Sequence, residues 1–248
     1  MSSMALLSVL AGSASSARGY EEGPVGDAGT LAGVVRFAGT PPKPARLSVA
    51  KHPDVCGEPK ESESLVLGAD RGVKDAVVRI EGVARGKKNT GERVLDNSRC
   101  VFVPHVLAAM AGSRVRVRSS DPVVHQTRGV SGQETVFNLA LPGRGQEVDI
   151  TRRLAKPGVV RVTCEVHPHM SAWLVVHDSP YIATTDERGL FRIDGIPPGA
   201  YTVTLWHEGF PRRRAGADGR ARYEEPRTAT QAVTIDRGAM TTVEFELR

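Results

Sequence analysis

Short apolar runs in which every second side chain is polar recur along this chain, and glycine or proline cuts each of them before a helical period can establish itself. The run Ser-Arg-Val-Arg-Val-Arg at residues 113–118 alternates strictly. A period of two places one set of side chains on one face of a strand. With 26 Gly and 16 Pro among 248 residues, the chain is predicted to be all-β, built from many short strands joined by turns. Strands are expected over residues 31–37, 64–67, 76–81, 100–103, 113–118, 135–139, 147–150, 158–164 and 172–177. Further strands are expected over 190–193, 201–205, 231–235 and 241–247. Residues 85–97, RGKKNTGERVLDN, are charged and glycine-bearing and read as an exposed hairpin or excursion.

At about 100 to 200 residues per domain, the length suits two modest domains. The turn Asp178-Ser179-Pro180 is the expected boundary. Three segments follow: a signal remnant or flexible N-terminus over 1–26, a first β-sandwich over 27–178, and a small antiparallel sandwich over 179–248.

No apolar run reaches 18 residues, so no transmembrane helix is expected. The formal charge of +5 is a mild excess. Its densest basic stretch, residues 211–227, also holds acidic residues and one aromatic, Tyr223, so a solvated loop is expected and nucleic-acid binding is not. Residues 4–11, MALLSVLA, precede a tract of small residues and resemble the end of a secretory signal, although a basic leading region is missing. A periplasmic or extracellular location is the expectation.

Three cysteines are present, an odd number that leaves one thiol outside any disulfide framework. Cys56 and Cys100 either pair or stand as two buried thiols, while Cys164 carries the chemistry. The segment Cys164-Glu-Val-His167-Pro-His169-Met170 sets a thiolate, an imidazole and a thioether three residues apart after a predicted strand. Thiolate, imidazoles and a weak axial thioether suit a mononuclear copper ion that changes oxidation state. His125, after the strand at 113–118 and the turn Ser119-Ser120-Asp121-Pro122, supplies the second imidazole. His169 could replace His167 or else lies exposed, and His105 could contact the metal, support it, or pack. His207 reads as structural and Trp173 as core.

These motifs, with Phe102-Val103-Pro104 and Ser119-Ser-Asp121-Pro-Val-Val-His125, resemble the cupredoxin family of blue copper proteins over roughly residues 27–177. The resemblance implies a Greek-key β-sandwich, a copper site on His125, Cys164, His167 and Met170, and one-electron exchange with a redox protein partner. Residues 185–201, with Asp194-Gly195-Ile-Pro197-Pro198-Gly199, resemble the carboxypeptidase regulatory-like, transthyretin-like sandwich, a module that implies no catalysis. Other readings of the same residues are copper storage or delivery, structural zinc, a Cys–His hydrolase, and an adhesive or carbohydrate-associated sandwich with a vestigial site. An enzyme is not expected, since no orienting third group or oxyanion hole accompanies Cys164.

Overall fold

The computed structural model describes residues 19–210 and 224–248. The expected signal tract at 4–17 and residues 211–223 of the basic stretch lie outside the described residues. No helix among the described residues is long and apolar enough to cross a membrane. The chain is all-β, as the alternation predicts, with a four-residue helix at Pro53–Cys56.

The first sandwich has two facing sheets. One has the order Glu147–Asp149, Val115–Ser119, Arg93–Ser98, Val101–Val103; the other has the order Glu134–Leu141, His125–Ser131, Gly158–Cys164, Ser171–His177, Val106–Met110. Val115 and Val117 point into the core while Arg116 and Arg118 point outward, so the strict alternation in sequence is the strand's two faces. Each such valine contributes about 1.5–3 kcal/mol on burial. Parallel pairs join Val115–Ser119 to Arg93–Ser98 and Ser171–His177 to Val106–Met110, giving a sandwich of mixed parallel and antiparallel sheets.

Residues 85–97, expected as an excursion, contain most of the strand Arg93–Ser98, which sits inside its sheet. Its buried polar residues Asp96 and Asn97 find partners on neighbouring strands. The Asn97 amide donates to the Arg118 carbonyl at 2.9 Å and accepts from the Thr127 hydroxyl at 3.1 Å, and Arg118 donates to Asp96 at 2.7 Å. Hydrogen bonding to neighbouring strands lets a loop-like sequence occupy a sheet interior. Two strands lacked a readable period: Val106–Met110, apolar without alternation, and His125–Ser131, largely polar. Residues 64–67 form no strand; Leu67 makes an isolated bridge to Val73.

The second sandwich does not begin at residue 179. One sheet runs Ile182–Thr184, Val77–Glu81, Gly199–His207, Arg227–Ile235, and the other runs Leu190–Ile196, Gly29–Phe37, Met240–Leu247. Gly29–Phe37 and Val77–Glu81, expected in the first unit, therefore pair with C-terminal strands. The C-terminal strands alone cannot cover two sheet faces, and the early strands supply the missing core: Leu31, Val35 and Ile80 pack with Tyr181, Ile193, Leu205 and Phe245. The first sandwich is thus inserted between strands of the second.

A third apolar cluster, Val77, Val106, Trp173, Val175 and Trp206, joins the two sandwiches, with the Trp rings 5.6 Å apart edge to face. Beside it Glu208 of the second sandwich is buried. Its Oε2 accepts from Trp173 Nε1 at 2.7 Å and its Oε1 pairs with His105 Nε2. His105 Nδ1 donates to the Ser171 carbonyl at 3.1 Å. Burial pulls the His105 pKa down, but Glu208, with Glu63 and Asp75, outweighs it and pushes it up to about 9. His207, buried, is held down to about 4.

A native-state pKa of about 9 against an ordinary 6.5 means that His105 keeps a proton that the unfolded chain releases in between. The stabilisation is complete below 6.5 and lost as pH rises through 9, a window separate from that of the other buried imidazoles with resolved shifts, His125, His167, His169 and His207, whose pKa values lie lower. Urea midpoints are expected to fall between pH 6.5 and 9.5, and Glu208→Gln should flatten that slope. A slope unchanged in the variant would mean another group carries it.

Candidate metal centre

Register sets the first two functional side chains side by side. Thr127 pairs with Cys164 across antiparallel strands, so His125, two residues before Thr127, shares the face of Cys164 on the neighbouring strand. After Cys164 the chain turns tightly: Met170 N donates to the His167 carbonyl at 3.0 Å, and Cys164 N donates to the Met170 carbonyl at 3.4 Å. That turn folds His167 back over the thiol before Ser171–His177 returns along the sheet.

His125 Nδ1 lies 3.8 Å and His167 Nδ1 3.6 Å from Cys164 Sγ, and all three residues are fully buried. They form one compact group able to hold an ion. A metal–nitrogen bond of about 2.0 Å and a metal–sulfur bond of about 2.3 Å at a trigonal angle separate the donor atoms by about 3.7 Å. The observed 3.6 and 3.8 Å fit that spacing without rearrangement. Burial, with His125, His169 and His52 nearby, holds the His167 pKa down to about 4, and burial also lowers that of His125 despite Asp121. Both rings are neutral at pH 7, the form that ligates a metal.

Met170 is buried in the core cluster that contains Cys164. His169, for which exposure was the alternative to ligation, is buried: its Nε2 donates to the Cys100 carbonyl at 3.0 Å, and its Nδ1 has no hydrogen-bond partner. The turn at Pro168 points it inward because the segment around Cys100 covers the loop. His105 has no place in the cluster, since Glu208 and the Ser171 carbonyl occupy both its nitrogens. Trp173 is core, packed on Trp206.

Cys56 and Cys100 form a disulfide, which leaves Cys164 as the remaining cysteine. Cys100 and Arg99 are the two turn residues between Arg93–Ser98 and Val101–Val103, both left-handed at φ 54° and 52°. Such a two-residue hairpin turn ordinarily takes Asn-Gly. Here the buried Asp121 holds it: Oδ1 accepts from Arg99 N at 2.6 Å and Oδ2 from Cys100 N at 2.8 Å. Asp121 Oδ2 also accepts from His125 Nε2 at 2.9 Å. A carboxylate only accepts, so the His125 proton sits on Nε2 and the Nδ1 lone pair faces the thiol.

Two residues of this surround, Asp121 and His52, carried no assigned role in the sequence. Asp121 stands four residues before His125, and His52 four residues before Cys56; those spacings are the signal that was available. His52 Nδ1 lies 3.0 Å from His167 Nε2.

The family model for polysaccharide lyase family 4, domain II, matches residues 158–243. No curated protein matches the chain. Among solved structures, a Cu-containing nitrite reductase from Thermus scotoductus is 24% identical over 37% of this chain, which spans 23% of that enzyme, with a TM-score of 0.32. Amicyanin from Paracoccus versutus is 17% identical over 47% of this chain and 93% of its own, also with a TM-score of 0.32. A purple cupredoxin from Nitrosopumilus maritimus is 18% identical over 35% of this chain and 100% of its own, with a TM-score of 0.30.

Proposed function

We propose that the protein binds one copper ion through His125, Cys164 and His167, with Met170 as a weak axial ligand, and passes single electrons between redox protein partners. The observation that carries this reading is the convergence of two neutral imidazole Nδ1 atoms on one buried sulfur at 3.6 and 3.8 Å. Bound copper would supply a one-electron couple between Cu(II) and Cu(I), which this mixed soft and borderline donor set suits. The chain's own part is to hold the donors still. Cys164 and His125 stand on paired strands, His167 on a turn closed by two backbone hydrogen bonds, and Asp121 fixes the tautomer of His125. A site that keeps its shape in both oxidation states exchanges electrons with little rearrangement.

The disulfide favours a periplasmic or extracellular home, where such bonds persist. With both nitrogens of His105 engaged, a storage role that needs it as extra capacity is disfavoured. The second sandwich is read as a carboxypeptidase regulatory-like appendage without catalysis, on the strength of its turn motifs at 185–201 and its four-stranded antiparallel sheet; its other sheet is mixed, with Gly29–Phe37 parallel to Met240–Leu247.

Cu(II) added to the purified full chain should bind at one equivalent and give the intense blue thiolate charge-transfer band of the family it resembles. Cys164→Ser should abolish the band. A colourless wild-type complex, or a serine variant that keeps the colour, overturns the reading. Asp121→Ala removes the acceptor of three N–H groups, those of Cys100 and His125 buried, and losing such a support typically costs 10- to 100-fold in metal affinity. The buried Cys100 amide left without a partner should add about 1–3 kcal/mol of destabilisation, read from urea midpoints without metal.

A further inference from the structure

His167 is fully buried, so an N–H on its outer nitrogen needs an acceptor within the protein. The atom in place is Nδ1 of His52 at 3.0 Å. We propose that His52 is a positioning residue of the metal site, accepting the Nε2 proton of His167, and that the Cys56–Cys100 disulfide anchors it in the same clamp that aims Asp121 at His125. This inference rests on the copper reading. When His167 ligates through Nδ1, its proton sits on Nε2, and His52 then plays for His167 the part that Asp121 plays for His125.

Nothing local would keep His52 there. It adopts a left-handed backbone, φ 51° and ψ 49°, that residues with a Cβ rarely take, and it begins a helix of one turn, too short to persist alone. Its carbonyl accepts from Val55 N at 3.0 Å and Cys56 N at 2.8 Å, so its position follows that of Cys56. Cys56 is bonded to Cys100, whose amide donates to Asp121. A closed circuit results, from His167 through His52, Cys56, Cys100 and Asp121 to His125, with both candidate imidazoles at its ends. His52 is half-buried while His125 and His167 are sealed, which makes His52 the ring of the circuit that meets solvent.

The test loads the full-length chain with Cu(II) alone and follows the visible spectrum, the reduction potential and copper loss to a chelator. His52→Leu removes the acceptor at similar volume, and His52→Asn puts an amide oxygen where Nδ1 stands. His52→Leu should bind copper 10- to 100-fold more weakly, with a shifted band and potential. His52→Asn should stay near the wild type, and Cys56→Ser/Cys100→Ser should match His52→Leu. Circular dichroism checks folding, and His52→Ala, which also lacks an acceptor, stands in should the leucine variant unfold. A leucine variant with wild-type affinity, spectrum and potential overturns the assignment, as does an asparagine variant as weak as leucine; the copper reading survives both. A wild-type chain that takes up no copper overturns both together.

Discussion

One carboxylate, that of Asp121, accepts from the His125 ring and from two consecutive backbone amides of a left-handed turn, and the order of the site follows from it. The ring contact sets which nitrogen of His125 faces Cys164. The amide contacts hold Arg99 and Cys100 in a conformation that an L residue rarely adopts, and that turn carries one half of the disulfide. Local strain of this kind persists only where the surroundings over-determine it. The turn is fixed by a carboxylate, a covalent bridge and the pairing of Ser98 with Val101.

The scaffold's contribution is stiffness. Cys164 ends a strand paired on both sides, and His125 starts one of its neighbours, so moving either donor would break a run of ladder bonds. Site shape thus draws on the whole first sandwich, whose core residues Leu95, Phe102, Val115, Val117 and Leu174 pack in one cluster with Cys164 and Met170. The second sandwich presses on the same sheet from outside. Its Glu208 reaches Trp173, on the strand Ser171–His177, and His105, whose carbonyl accepts from Trp173 N, while the rings of Trp173 and Trp206 pack edge to face across the seam. A buried imidazolium and carboxylate are costly unless paired, so the pair specifies one way for the two sandwiches to meet.

All-β architecture, most strands and the meeting of His125 with Cys164 and His167 were legible in the sequence, because strand alternation and donor chemistry are local properties. Strands with polar interiors were not: Arg93–Ser98 reads as a loop until Arg118 and Thr127 are seen to bond with Asn97 and Asp96. Nor could the sequence show that Gly29–Phe37 belongs with strands two hundred residues later, since pairing across that distance depends on which sheet lacks an edge. The fates of His105 and His169 were likewise open, because either ring could ligate, pack or pair, and the choice depends on neighbours remote in the chain.

Tertiary structure alone decided what surrounds the donors. His52, Cys56, Cys100 and Asp121 are spread over seventy residues, and only the folded chain brings them to one wall of the cluster. The donor set was written in residue types, which carry their ligand chemistry wherever they lie. The orientation of each ring depends on what its second nitrogen meets, and that is a property of three-dimensional neighbours alone.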